Sequence, residues 1–500
     1  MINHMLSWIL LLPTVGLGLL FLVPAGNVPL LRRISTVAAL LPFLLSIGVF
    51  IAYDHTAGGF QLVEKIPWVV PFGISYHLGV DGINSLLILL LGIVSFCAVL
   101  ISDPVKDRVK EYYILLLVTV IGAYGAFLSL DIFFFFFLHE LAAVPVFLMI
   151  AIWGSDRKEH AAMKLTLYLA SGATLALIGL IALYLASGLH TFDLIQIQQY
   201  LAVHPLPVAS QVWIFPLIVI GFGITLTLWP FYTWAPEGYA AAPTSISMLH
   251  AGVLKKMGAY AIIRFALLLM PQGAHIWMPL VAVLAIVNIV FCGLVALTQR
   301  DLKYILGYSS CSHMGYILLG LACLNTIGLN GVVFLMFAHG IMAALAFALV
   351  GFVSRQTHTR DLDRLGGLIQ RMPFIATCFM MAVLASAGVP GFANFPAEIM
   401  ILLGSWGQYR ILSICAVSGL VITAIYMLKA IRLGFHGDIK PQWSKLTDAR
   451  TPLAKLPFVL LLAVLLLAGC WPSLILKHID LSTKTIVEAD HARPGPESTR

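Results

Sequence analysis

The chain has 500 residues, 60% of them apolar and 10% charged, with a formal net charge of +7; ordinary soluble domains carry about a quarter charged residues. Composition this apolar over this length excludes a soluble globular enzyme and indicates a polytopic membrane protein. The basic excess sits in loops between apolar stretches, which speaks against a nucleic-acid surface and leaves the lipid bilayer as the implied partner.

A bilayer core takes about 20 apolar residues per helix. Windows of that size predict roughly fourteen spans, near residues 4–24, 34–53, 84–102, 112–130, 131–153, 162–186, 212–232, 244–271, 276–298, 303–323, 328–353, 375–405, 410–433 and 456–476. Period-two alternation is not seen, so a barrel is not expected. The first stretch lacks a basic leader and a small-residue cleavage site, and is expected to be retained with residue 1. Loops on one side carry Arg32, Arg33, Lys106, Arg108, Lys110, Arg157, Lys158, Arg300, Lys303, Arg355, Arg360 and further lysines and arginines to Lys455, whereas the opposite short loops hold little beyond Lys65 and Arg410. That asymmetry orients the chain, with both termini periplasmic because the span count is even. The seven cysteines fall in apolar segments with no C-x-x-C pair, and read as small core residues rather than a disulfide framework, an iron–sulfur site or a zinc site.

In the fifth span, Glu140 follows a run of phenylalanines and His139 and precedes Leu141-Ala-Ala-Val-Pro145. Apolar residues on both sides place the carboxylate well inside the membrane, where a charged side chain costs about 2.5–3.5 kcal/mol. Such a group takes up and releases protons, or else is a structural ion pair or a neutral hydrogen-bonded acid. His139 beside it reads either way. Lys164 and Lys429, near span ends, read as snorkelling side chains.

The seventh span runs into Pro230 and Pro236-Glu237, and the twelfth into Pro390, Pro396 and Glu398. Proline removes a backbone donor and clashes with the preceding turn, so each helix is expected to break there. Broken helices at matching positions point to two inverted five-helix repeats, helices four to eight (111–271) and nine to thirteen (272–435). Helices one to three (1–110) precede them, and a last helix with a flexible polar tail (436–500) follows.

The eighth span carries Lys255-Lys256. Neighbouring side chains on a helix point about 100° apart, so one lysine faces the bundle interior while the other pairs or snorkels. A buried lysine can give up a proton, which arginine cannot. His313 and His339, in the tenth and eleventh spans, are either proton bridges or satisfied core histidines. Ser309, Ser310 and Ser312 are placed to hold the waters a bridge requires. Glu398 either exchanges protons with an aqueous half-channel or caps the resumed helix.

Several of these residues belong to a longer series: His77-Leu-Gly-Val-Asp-Gly82, Glu140 with Pro145, Trp234-Ala-Pro236, Ala242-Pro-Thr244, Ala251-Gly-Val-Leu-Lys-Lys256, Ser312-His-Met-Gly315, Ala338-His-Gly340, His358-Thr-Arg-Asp-Leu362 and Gly388-Val-Pro-Gly391. Over about residues 75–435, this series resembles the antiporter-like membrane subunits of NADH-quinone oxidoreductase, respiratory complex I. The His77–Gly82 run, and Glu398 where a sister subunit has lysine, favour the subunit M branch. Large subunits of multi-subunit sodium/proton antiporters and of membrane-bound hydrogenases are related.

The resemblance implies an all-α polytopic fold in a bacterial inner membrane, beside other antiporter-like subunits of a membrane arm. It implies proton translocation coupled to electron transfer elsewhere: no cofactor in this chain, with NADH or another donor, flavin, iron–sulfur clusters and quinone in partner subunits. It assigns the relay to Glu140, Lys256, His313, His339 and Glu398. One member departs. The family has a lysine nine residues before the tryptophan at 234, paired with the fifth-span glutamate, and this chain has Thr225, which hydrogen-bonds but carries no charge. Lys255 and His139 are the groups left to compensate. A cation/proton antiporter subunit working without electron transfer, and a scaffold that lost pumping with Thr225, are the alternative functions.

Overall fold

The computed structural model describes residues 4–102 and 105–491. The expectations for residue 1 and for the tail beyond His491 lie outside the described residues. Among the described residues eleven helices are long and apolar enough to cross a bilayer, and three more crossings bring the architecture to the predicted fourteen. The eighth span starts as Thr244–Leu249 and continues through wide π-type turns at His250–Leu254 and Ile262–Leu267. The tenth, Leu302–Ala322, is diluted by serines and His313. The twelfth is made of Pro373–Ser386 and Asn394–Trp406. The eleventh span, Thr326–Thr357, is buried at the centre, while the first, Met5–Leu22, and the fourteenth, Pro452–Cys470, stand at the rim.

The two halves share a backbone pattern. Asp131 caps the fifth span and bridges to Asp193, in the connection between the sixth and seventh; Asp301 caps the tenth and bridges to Asp361, between the eleventh and twelfth. Ile132 N donates to Phe192 O and Leu194 N to Leu130 O, and likewise Leu302 N donates to Arg360 O and Leu362 N to Arg300 O. The fifth and tenth spans run in opposite directions through the membrane, so the repeat is inverted.

The helix breaks match as well. The seventh span stops at Thr225 and resumes at Trp234; the twelfth stops at Ser386 and resumes at Asn394. Leu228 N donates to Gly223 O as Val389 N does to Leu384 O, and Thr227 and Gly388 both adopt left-handed backbone, at φ 66° and 67°. In this register Thr225 corresponds to Ser386 and Glu237 to Glu398, one residue away from the alignment of the prolines. Pro230 and Pro390 occupy different steps of the turn, so proline spacing alone misplaces the equivalence. The first break is closed by Asn288 of the ninth span, Pro271–Thr298, which accepts from Trp229 N at 2.6 Å and donates to Thr227 O at 2.8 Å.

Two elements run against the sequence-based expectations. Residues 61–80 form an antiparallel hairpin, Gln61–Val69 with Ile74–Val80. Its irregular register, with Pro67 inside a strand, hides the alternation that would have marked it. The polar tail also folds as far as His491: Ser473–His491 is an amphipathic helix against the third span, Gly82–Ile101, and the eleventh. Ile475, Ile479 and Ile486 recur at helical spacing on its buried side, and Asn330 Nδ2 donates to Asp480 at 2.8 Å. Two smaller corrections concern single residues. Lys303, expected in a loop, is buried in the tenth span with Nζ donating to Ala242 O at 2.6 Å, and Cys470, expected in the core, is exposed.

The hairpin is tied down at Asp193, which accepts from Lys65 Nζ at 2.6 Å and lies 3.0 Å from His77 Nδ1. Burial pushes the Asp193 carboxyl up, but the close His77 ring and the hydrogen bond from Lys65 outweigh it and hold the group well below the usual carboxylate range. A lowered native pKa means stability that is present above the unfolded value of 3.8 and lost as pH falls through the native one. Asp193→Asn is therefore expected to lower stability by about 1–2 kcal/mol at neutral pH. Thermal unfolding of variant and parent should converge as pH drops below 3.8; a gap that stays constant with pH would show that the carboxylate charge is not what holds the hairpin.

Candidate functional site

The eighth and eleventh spans cross where Gly252 meets Gly340: a Cβ on Gly340 would stand 2.7 Å from Gly252 O. That close approach, together with the wide turn at His250–Leu254, lets Lys256 reach across the crossing. Lys256 Nζ donates to Ala251 O, and to His339 Nδ1 at 2.9 Å. The His339 ring lies 5.2 Å from that of His313, and His313 Nε2 lies 3.6 Å from Glu398 Oε1. Four titratable side chains from four spans thus form one file, and each is at most 1% exposed.

His313 faces two backbone carbonyls, Nδ1 at 2.7 Å from Ser309 O and Nε2 at 3.1 Å from Ser386 O. A ring protonated on both nitrogens donates to both, whereas the neutral ring sets one lone pair against a carbonyl. The second helix break, which frees Ser386 O, thereby gives His313 a place to hold an extra proton. The same turn makes room for the carboxylate beyond it, because a Cβ at Gly388 would stand 2.6 Å from Glu398 Oε2.

At 3.6 Å, His313 and Glu398 are in ion-pair range but past hydrogen-bond length. Both Glu398 oxygens lack a protein hydrogen-bond partner, as do His339 Nε2, Ser386 Oγ, His250 Nδ1 and His139 Nε2. Buried polar atoms are normally satisfied by protein or by ordered water, and these unpartnered atoms lie on or beside the file.

At the other end of the file, Glu140, His139, Thr225 and His250 line one small cavity of about 10 Å³, roughly the room one water needs. Glu140 is not buried as expected: its side chain is 32% exposed at the outer edge of the fifth span, Ile132–Trp153. Thr225 faces the same cavity and is buried, so the site that bears lysine in the resembling family is neutral here. Of the two groups left to compensate, His139 reaches Glu140, with Nδ1 2.9 Å from Oε1. Lys255 does not: its Nζ donates to Ser310 Oγ at 3.0 Å and sits 5.3 Å over the Tyr239 ring. A second cavity of about 10 Å³ links Ser310, Ser309 and His339.

Sequence reasoning passed over several participants. His250 opens the segment that holds the two lysines, and an intramembrane histidine there was a usable signal. Ser386 contributes a carbonyl, which no side-chain pattern reveals. Lys164 pairs with Glu237 at 2.7 Å rather than simply snorkelling, while Lys429 donates to Leu297 O at 2.8 Å. The buried pair Arg264 and Asp81, 2.5 Å apart, was missed because 183 positions separate its members.

Residues 129–423 match a family model described as NADH:quinone oxidoreductase/Mrp antiporter, TM. The chain is 34% identical to NADH-quinone oxidoreductase subunit M of Rhodobacter capsulatus over 506 aligned positions, covering 99% of this chain and 98% of that protein. Among solved structures it resembles a chain of respiratory complex I from Thermus thermophilus with bound NADH, with TM-score 0.89, 27% identity and coverage of 98% and 99%. A chain of the Mrp complex from Dietzia has the same fold, with TM-score 0.84, 18% identity and coverage of 98% and 99%.

Proposed function

We infer that this chain, which belongs to the NADH:quinone oxidoreductase/Mrp antiporter transmembrane family, is a proton-translocating membrane subunit of a complex I-type NADH-quinone oxidoreductase, and that its protons move along Lys256, His339, His313 and Glu398. The file of contacts from Lys256 to Glu398 carries this inference. With Lys256 donating to His339 Nδ1, the neutral ring bears its own proton on Nε2. A proton passed from the ammonium to Nδ1 and another released from Nε2 toward His313 amount to one transfer through the ring. His313, set between two carbonyls, holds the proton until Glu398 takes it, directly after a small shift or through one water. Ion pairs in so apolar a setting interact strongly, so a change of charge at one end of the file biases the protonation of the next group.

Glu140 with His139 forms the other end. A carboxylate at membrane depth faces protein or water rather than hydrocarbon, so its exposed edge marks the seam with a neighbouring antiporter-like subunit. With Thr225 in the cavity, His139 takes the place of the absent lysine as the partner of Glu140. Donor oxidation, flavin and iron–sulfur electron transfer and quinone reduction belong to partner subunits. The basic loops face the cytoplasm and both termini the periplasm, in the inner membrane of a bacterium. The antiporter alternative shares the family model and the fold, whereas the near full-length relative at 34% identity is an NADH-quinone oxidoreductase subunit M.

In the assembled complex, Glu398→Gln is expected to preserve uncoupled electron transfer to quinone while lowering the protons moved per electron. The amide keeps the shape of the carboxyl but cannot carry a proton through. A ratio equal to that of the parent would overturn the relay and leave the scaffold reading in its place.

A further inference from the structure

We propose that a cavity at the basic face of the bundle, between the second, third, eleventh and fourteenth spans, is a binding site for an anionic phospholipid. The cavity has a volume of about 800 Å³ and lies apart from the relay. Span ends converge on it. The second span, Val28–Ala52, begins there with Arg32 and Arg33, the eleventh ends there with Arg355, and the fourteenth begins there. The site therefore lies at the level of the headgroups, on the face that also carries Arg108, Arg157 and Arg300.

Its wall changes character with depth. The three guanidinium groups stand at the helix ends, and one turn further in are Phe352, Pro457 and Phe458. The Phe352 and Phe458 rings meet edge to face at 6.0 Å, and the Arg355 guanidinium lies 5.5 Å over Phe352. Guanidinium groups match phosphate oxygens with paired donors, and basic pockets between spans near a membrane surface attract acidic headgroups. A free phosphate would occupy only the arginine end. The aromatic floor calls for acyl chains attached to the same phosphate, which makes a phospholipid the occupant.

The test uses the whole complex in phosphatidylcholine vesicles doped with spin-labelled phosphatidylglycerol. The parent should show a slowly exchanging, immobilised population of the label that inorganic phosphate does not displace. Each arginine replaced by glutamine should weaken retention about fivefold, with Arg32→Gln, Arg33→Gln and Arg355→Gln combined losing the population. Should the triple variant fail to assemble, Arg355→Gln alone, at an exposed helix end, reports the same fivefold step. Equal immobilisation of labelled phosphatidylcholine, displacement by phosphate alone, or retention unchanged in the variants would each overturn the proposal.

Discussion

Lys256→Ala is expected to cut proton flux through this subunit by about two orders of magnitude, the scale of losing a positioned proton-transfer group, while electron transfer in the uncoupled complex continues. Among the described residues, Lys256 is the lysine that meets a histidine of the file, through a direct hydrogen bond at 2.9 Å. Alanine removes the donor and leaves His339 Nδ1 without its partner. Lys255→Ala is the control: that lysine donates to Ser310 and stands beside Tyr239, off the file, so its loss should change flux by far less. The measurement is proton uptake or release per electron in vesicles holding the intact complex. Equal effects of the two substitutions would remove the distinction between them, and with it the assignment of the path.

Arg264→Ala is expected to cost about 3–5 kcal/mol of stability, the penalty for leaving one member of a buried ion pair alone. Arg264 Nη2 lies 2.5 Å from Asp81 Oδ1, and both side chains are buried. Asp81 also caps the third span, accepting from Ile83 N and Asn84 N at 3.0 Å, so the stranded carboxylate would sit at a helix start packed against the folded tail. Thermal unfolding of the detergent-solubilised complex reads the effect. Pairing Arg264→Met with Asp81→Asn should recover part of the loss, because the double variant leaves no unpaired charge. An unaltered unfolding temperature in Arg264→Ala would show that solvent reaches the pair.

The outline of the molecule and most of the file were legible in the chain itself. Apolar windows located the spans because a bilayer leaves a backbone few ways to satisfy its hydrogen bonds, and intramembrane Glu140, Lys256, His313, His339 and Glu398 stood out because charge in hydrocarbon is costly. The hairpin at 61–80 escaped because its irregular register breaks the period-two pattern, and the helix over 473–491 because it lies in a polar segment outside the spans, where the hydropathy contrast is lost. The equivalence of Glu237 with Glu398 escaped because it follows from backbone hydrogen bonds at two turns, and prolines mark those turns only loosely.

The amino-acid order alone determined that this protein crosses a membrane fourteen times, bears two broken spans and holds acids and bases at depth, since each of these follows from local composition and the cost of burying charge. Tertiary structure alone decided that Lys256 rather than Lys255 meets His339, that His139 rather than Lys255 reaches Glu140, and that Glu140 sits at the rim. Those outcomes depend on which helix faces touch, and contact between faces far apart in the chain is set by crossings such as Gly252 on Gly340, which no local pattern encodes.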